Sequence, residues 1–167
     1  MIVRALMLAG GLAGGAITSQ LPEYSQQYRQ RLGGAVDALT EVVTDFDASA
    51  QAEGLSRQDA LAQMQGTSFI ERRKADMTRT FDRYARLQLD LEALEGAGPF
   101  MRAYHVMQSA DAEVAAAALE TFEPAVPLTT AGGIFAGTGF LAGLTAVWGV
   151  LKLMLWPIGR RRTARGA

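Results

Sequence analysis

Histidine and cysteine are the residue types that most often serve as nucleophiles, proton carriers or metal ligands. His105 is the only histidine among the 167 residues, and cysteine is absent. One histidine cannot supply a histidine metal cluster or the paired Glu-x-x-His motifs of a di-iron bundle. We therefore interpret His105 as a packed or solvated side chain. We expect no metal site and no bound cofactor.

Paired carboxylates and a basic run are the remaining candidates for chemistry. Glu92 with Glu95, and Glu120 with Glu123, lie one helical turn apart, a spacing compatible with acid/base or cation sites but also common on solvated helix faces. The run "ERRKADMTRTFDRYAR" interleaves its six basic residues with three acids, which favours a salt-bridged surface over a nucleic-acid site. We expect a protein that is not an enzyme and does not bind nucleic acid.

Glycine pairs four residues apart recur near both ends of the chain. In lipid, burial from water cannot drive helices together. Small residues instead let the helix backbones approach closely. The spacing predicts close helix packing, and it leaves open whether the partner is the other terminal helix, a second copy or another protein. The predicted packing residues are Gly10, Gly11, Gly14, Gly15, Gly133, Gly137, Gly139 and Gly143.

Charge is distributed very unevenly along the chain. Residues 22–127 contain all 17 acidic and 10 basic residues, a formal charge of −7, whereas the two ends carry six basic residues and no acid. Residues 128–151 include no charged side chain and exceed the roughly 20 residues that a bilayer core requires. We predict a first transmembrane helix at 1–21, an extramembrane module at 22–127, a second transmembrane helix at 128–158 and a basic tail at 159–167.

The first apolar segment allows two interpretations. Its length, its glycines and the preceding Arg4 are also typical of a secretory signal peptide, but no clear small-x-small cleavage site follows. We favour an uncleaved signal anchor over a removed signal peptide. Because arginines beside a span favour the cytoplasmic side, we expect both termini in the cytoplasm and the central module in the periplasm.

The central module has the periodicity of helices. Apolar residues recur at alternating spacings of four and three from Leu32 to Ala50, and Tyr24 and Tyr28 extend this heptad pattern toward the first span. A second apolar stripe runs from Met77 to Leu94. We predict an all-α membrane protein in which two transmembrane helices bracket an extramembrane helical hairpin, partly coiled coil, with additional short helices.

Local signals mark where these helices begin and end. Pro22 suits a first helical turn, and Gly54 is expected to close the helix that covers residues 23–52. Ser56 is expected to cap a short helix, and Ser68 with Glu71 forms a capping box for the next long one. Pro99 suits the start of a shorter helix, and an alanine-rich helix is expected at about residues 111–122.

The stretches "SQLPEYSQQYRQRLGGAVDAL" and "FEPAVPLTTAGGIFA" carry a resemblance to known proteins. The chain resembles a family of small, uncharacterised bacterial inner-membrane proteins, one of the domain-of-unknown-function families. The resemblance implies a bacterial membrane location and no reaction. Its clearest motif comprises Pro22, Glu23, Tyr24, Gln26, Gln27, Tyr28, Gln30, Arg31, Leu32, Gly33 and Gly34.

These patterns lead to one preferred function and two alternatives. We expect a non-catalytic accessory, assembly or stabilising subunit of a larger inner-membrane complex. Its surface contacts are expected at Pro22, Tyr24, Gln26, Gln27, Tyr28, Gly33 and Gly34, where aromatic rings and amides suit a wet interface. The alternatives are a periplasmic sensor or ligand-binding module, and a self-assembling homo-oligomer in the bilayer.

Overall fold

All regular secondary structure in the described part of the chain is α-helix, and short turns join the helices. A computed structural model describes residues 1–126 and 128–163, with side chains described except at positions 109 and 155–163. The arginines of the predicted basic tail therefore lie outside the described side chains. The helices are α1 (Ile2–Ser19), α2 (Leu21–Ala52), α3 (Arg57–Gln63), α4 (Ser68–Glu95), α5 (Pro99–Ser109), α6 (Ala112–Glu120) and α7 (Thr130–Thr163).

These helices divide between two compact units. The terminal unit comprises Met1–Ser25 with Glu123–Ala167, and the central unit comprises Gln26–Phe122. Two helical stretches are long and apolar enough to cross a membrane, one within Ile2–Ala52 near the N terminus and one at Thr130–Met154. The chain thus contains two candidate membrane-spanning helices, as the sequence predicts.

Helix ends follow the local chemistry with one exception. Pro22 lies in the first turn of α2, and Gly54 follows this helix with a φ of 70°, a left-handed conformation that glycine adopts without a Cβ penalty. Ser56 caps α3 by accepting a hydrogen bond from the Asp59 N–H at 3.1 Å. The cap of α4 is Thr67, which accepts from the Ile70 N–H at 3.3 Å, so the expectation of a Ser68 cap is wrong by one residue.

The core of the central unit uses the apolar positions with helical periodicity. Val43 of α2 packs in one cluster with Met77 and Phe81 of α4. Phe46 meets Phe81 edge to face with their ring centroids 5.1 Å apart. The buried residues of the two stripes are Tyr28, Leu32, Val36, Val43 and Ala50 on α2, and Met77, Phe81, Leu87 and Leu94 on α4.

A tight turn joins α4 to α5. Pro99 occupies the first turn of α5, where its missing N–H removes no helical hydrogen bond. The Arg102 guanidinium donates to the carbonyl oxygens of Leu94 at 3.3 Å and Ala97 at 3.0 Å. Arg102 thus adds side-chain hydrogen bonds to carbonyl groups at the end of α4, where the Leu94 carbonyl oxygen also accepts from the Ala97 N–H at 3.3 Å. This fixes the start of α5 against the end of α4.

Candidate functional site

Backbone contact between glycines joins α1 to α7. A Cβ added at Gly14 would overlap the carbonyl oxygen of Gly139, and a Cβ at Gly143 would overlap the carbonyl oxygen of Gly10. Even an alanine side chain therefore has no room at these positions. Because dispersion falls off steeply with distance, a backbone approach this close maximises the attraction between two apolar helices.

Phe140 of α7 packs on the adjacent glycines of α1. A Cβ at Gly11 would come within 2.7 Å of the Phe140 ring, and a Cβ at Gly15 would come within 2.9 Å of the Ala136 carbonyl oxygen. The Phe140 ring therefore occupies the space that a side chain at Gly11 would need, and the backbone of α7 limits the space at Gly15. All four glycines of α1 take part in the contact.

A hydroxyl group adds a polar link to this helix pair. The Thr18 hydroxyl donates to the Phe135 carbonyl oxygen at 2.6 Å and lies 2.9 Å from the Gly14 carbonyl oxygen of its own helix. A Cβ at Gly139 would overlap the same hydroxyl oxygen. A Thr–carbonyl bond of this kind satisfies the hydroxyl in an apolar medium.

The contacts fix the direction of the two helices within the terminal unit. Gly10 meets Gly143, Gly14 meets Gly139, and Thr18 meets Phe135. Residue numbers rise on one helix as they fall on the other, so α1 and α7 run antiparallel. The start of α1 consequently lies beside the part of α7 that follows Gly143.

The remaining predicted glycines lie apart from this contact. Gly133 and Gly137 are exposed on α7, and a Cβ added at either meets no atom within 4 Å. A Cβ added at Gly33 or Gly34 on α2 likewise meets no atom within 4 Å, although Gly33 is partly buried. A close approach at these four positions stays a prediction about a partner.

Gln20 holds the connection that leads to α7. Its side-chain Nε2 donates to the Ala125 carbonyl oxygen at 3.1 Å, and its Oε1 accepts from the Ala125 N–H at 3.1 Å. The primary amide thus satisfies both backbone groups of one residue that lies outside any helix. Gln20 was not among the predicted site residues, because a contact across 105 positions leaves no local signal in the sequence.

Tyr28 is a predicted interaction residue whose side chain is fully buried. Its side chain is 1% exposed, and its hydroxyl oxygen accepts from the Asp111 N–H at 2.9 Å, just before α6 begins. Asp111 in turn caps α6 by accepting from the N–H groups of Glu113 and Val114. Arg83 reaches both Asp111, at 3.4 Å, and Glu113, at 2.6 Å. The structure therefore places Tyr28 in the central unit's interior.

The other residues of the predicted surface are more accessible. Gln26 is exposed, whereas Pro22, Tyr24 and Gln27 are partly buried. Burial raises the pKa of the Tyr24 hydroxyl above its usual value. These four side chains lie along the first two turns of α2, on either side of the division between the two units.

Two carboxyl groups of the central unit have pKa values shifted in opposite directions. Arg57 hydrogen-bonds Asp47 at 2.7 Å through Nε, which lowers the pKa of that carboxyl group. Burial raises the pKa of Asp90, and the negative charge of Asp111 raises it further. Asp90 lines a cavity of about 90 Å³ together with Tyr28 and His105.

The described residues do not assemble a recognisable metal site. Among them, no three histidine or carboxylate side chains come close enough to hold an ion. The clearest features are the glycine contacts between α1 and α7 and the backbone groups that Gln20 and Tyr28 hydrogen-bond.

Comparison with known proteins assigns a family without assigning an activity. No curated protein and no solved structure matches the chain. The model of one family, described as "Protein of unknown function (DUF2937)", matches residues 2–160. Because this match covers nearly the whole sequence, the chain belongs to the DUF2937 family.

Proposed function

We propose that this protein is a non-catalytic accessory, assembly or stabilising subunit of a larger bacterial inner-membrane complex. The observation that carries the proposal is the division of the glycines of α7 between two faces. Gly139 and Gly143 are used within the chain against α1, whereas Gly133 and Gly137 stay exposed with open space beside them. The exposed pair offers a second transmembrane helix the same close approach that α1 makes on the other face.

The membrane arrangement that follows has both termini in the cytoplasm and the central unit in the periplasm. Antiparallel packing of α1 and α7 supports termini on one side of the bilayer. The basic residues after Leu151 favour the cytoplasm for that side. A reporter fused after Arg165 is expected to be active only in the cytoplasm, and periplasmic activity would reverse this orientation.

Within the central unit, α2 and α4 are proposed to form a helical hairpin. Contacts at two levels support antiparallel helices. Val43 of α2 packs with Met77 and Phe81 of α4, whereas Tyr28, nearer the start of α2, shares a cavity with Asp90 and Leu94, nearer the end of α4. A hairpin of this kind would hold Gly33 and Gly34 on an open face of α2, available to a partner.

Purification of the tagged full-length chain in gentle detergent tests the subunit proposal. We expect another membrane protein to co-purify in fixed ratio, and we expect Gly137→Leu to remove it. Gly149→Leu is the matched control, because Gly149 lies on the same helix and also has no atom within 4 Å of an added Cβ. A chain that purifies alone, as a monomer or as a homo-oligomer, would contradict the proposal.

A sensor or ligand-binding module is the second candidate, and the cavity beside Tyr28 is the observation that favours it. Its volume of about 90 Å³ would accommodate a very small polar ligand or about three waters, at about 30 Å³ each. Tyr28, Asp90 and His105 provide polar groups there. A metabolite that raises the thermal stability of the monomeric chain, and loses this effect in Asp90→Ala, would favour the second candidate over the first.

A further inference from the structure

Trp148 and Lys152 form an exposed cation–π pair on α7. The Lys152 ammonium lies 4.8 Å from the centroid of the Trp148 ring, and both residues are exposed. The ring attracts the ammonium through its negative face and orders the long lysine side chain, but it has no charge that would neutralise the cation. The Lys152 ammonium is therefore held in place and still able to bind an anion.

Arg4 on α1 lies at the same end of the helix pair as Lys152. A Cβ added at Gly10 would overlap the Val147 side chain, so these two residues lie at one level of the antiparallel contact. Arg4 precedes Gly10 by six residues, and Lys152 follows Val147 by five. At about 1.5 Å per residue, the two basic residues lie about 9 Å and about 8 Å beyond that level in the same direction.

The sequence at this end of the pair supplies basic side chains and no acidic ones. It has no acidic residue before Glu23 or after Glu123, and both of these acids lie toward the opposite end, where α1 ends and α7 begins. Arg4 and Lys152 take part in no ion pair among the described residues. Four more arginines follow Lys152, outside the described side chains. The counter-ions for this end therefore come from outside the chain.

The surface around Lys152 is otherwise apolar. Its exposed sequence neighbours include Val150, Leu153 and Met154, which are 55%, 68% and 68% exposed. A free phosphate would match the ammonium but would leave these apolar side chains in contact with water, which is unfavourable. A phospholipid matches both features, because its head group carries the negative charge directly beside hydrocarbon chains.

We propose that Arg4 and the Lys152–Trp148 pair bind the head groups of anionic phospholipids. This inference rests on the membrane-spanning role proposed for α1 and α7, and it is independent of any partner protein. The two basic side chains extend to the head-group phosphates, while their stems and the Trp148 ring lie against the acyl chains. Negative charge favours phosphatidylglycerol about fivefold for each basic residue near the surface, whereas the choline cation of phosphatidylcholine offsets its own phosphate.

Fluorescence quenching by brominated lipids tests this proposal on the full-length chain. Trp148 and Trp156 are the only tryptophans of the sequence, so Trp156→Phe leaves emission from Trp148 alone. Vesicles contain equal amounts of phosphatidylcholine and phosphatidylglycerol, and bromine is placed on the acyl chains of only one of the two lipids. Bromine quenches tryptophan only at short range, so a comparison of the two vesicle samples measures which lipid lies beside Trp148.

We expect brominated phosphatidylglycerol to quench more strongly, with at least an about fivefold enrichment beside Trp148. Arg4→Gln combined with Lys152→Gln should remove most of this enrichment, and Lys152→Arg should keep it. Arg72→Gln is the matched control, because Arg72 is an exposed basic residue on α4, and it should also leave the enrichment unchanged.

The possible contrary results separate the head-group site from the span. Equal quenching by the two lipids, or an enrichment that persists in the double variant, would overturn the site and leave the span intact. Quenching by neither lipid would overturn the span and the site together. An enrichment that disappears when inorganic phosphate is added at constant ionic strength would assign the site to a free anion and would also overturn the proposal.

Discussion

Gly14 and Gly139 face each other so closely that a Cβ on either residue would overlap the carbonyl oxygen of the other. They are separated by most of the chain, yet their contact sets the distance between α1 and α7. Neither helix could keep this distance with a larger side chain at that level. The relationship makes the terminal unit sensitive to the smallest possible substitution.

Gly139→Ala is expected to destabilise the contact between α1 and α7. The new methyl group would overlap the Thr18 hydroxyl and the Gly14 carbonyl oxygen, and overpacking of a close contact costs about 1–3 kcal/mol. The measurement is unfolding by SDS in mixed micelles, followed by energy transfer between dyes on cysteines introduced in α1 and α7.

Gly137→Ala is the matched control for this substitution. It lies two residues away on α7 and has no atom within 4 Å of an added Cβ, so its unfolding midpoint is expected to match or exceed that of the unsubstituted chain. Equal midpoints for the two alanine variants would show that the backbone contact at Gly139 does not hold the helices together.

Gln20→Ala is expected to expose the backbone of Ala125 to exchange with solvent. The substitution removes the acceptor for the Ala125 N–H and the donor to its carbonyl oxygen. A typical hydrogen bond contributes about 0.5–1.5 kcal/mol, which corresponds to up to about tenfold faster amide exchange. Hydrogen–deuterium exchange of the full-length chain in detergent measures this rate at Ala125.

Gln26→Ala provides the comparison for Gln20. Gln26 is exposed and lies six residues further along, so its replacement is expected to leave exchange at Ala125 unchanged. If the amide of Ala125 exchanged equally fast in all three chains, Gln20 would contribute nothing to the order of this connection.

Tyr28→Phe is expected to destabilise the start of α6. The ring would keep its packing, but the partly buried Asp111 N–H would lose its acceptor, at a cost of about 0.5–1.5 kcal/mol. Faster exchange of the Asp111 amide and a lower midpoint of urea unfolding are the expected results. Tyr104→Phe, at a 51% exposed position, should change neither quantity. If both variants had the same Asp111 exchange rate and the same urea midpoint, the Tyr28 hydroxyl would not stabilise the start of α6.

The sequence predicted the helices better than it predicted their partners. Periodicity identifies a helix face from residues a few positions apart, and Leu32, Val36 and Val43 are indeed buried on one side of α2. The pairs Gly133–Gly137 and Gly139–Gly143 have the same four-residue spacing, yet only the second pair contacts α1. Spacing defines a face, whereas the neighbour that covers it depends on the register between distant helices.

The sequence also did not predict the contacts of single residues with distant parts of the chain. Gln20 bonds to a backbone 105 positions away, and no neighbouring residue indicates this. Thr67 and Ser68 are adjacent hydroxyl residues that can both cap a helix, and the general preference for serine at this position selects the wrong one. Pro99 and Ser56 were identified correctly because their roles depend only on the helix turn that they begin.

The opposite pKa shifts of Asp47 and Asp90 predict opposite dependences of stability on pH. Arg57 lowers the pKa of Asp47, so its carboxylate stabilises the folded chain above the unfolded-state pKa, and this contribution is lost as pH falls through the lowered value. Burial raises the pKa of Asp90, so its ionisation opposes folding as pH rises above the unfolded-state value.

Asp47→Asn and Asp90→Asn are therefore expected to act with opposite signs at neutral pH. Asp47→Asn should lower the urea midpoint of the full-length chain because it removes the ionic partner of Arg57. Asp90→Asn should raise the midpoint because a neutral amide replaces a carboxylate disfavoured by burial and by Asp111. Both differences should shrink as the pH is lowered and the carboxyl groups of the unsubstituted chain become protonated. A midpoint change of the same sign for both variants, or a gain for Asp90→Asn that persists in acid, would contradict this assignment of the two carboxyl groups.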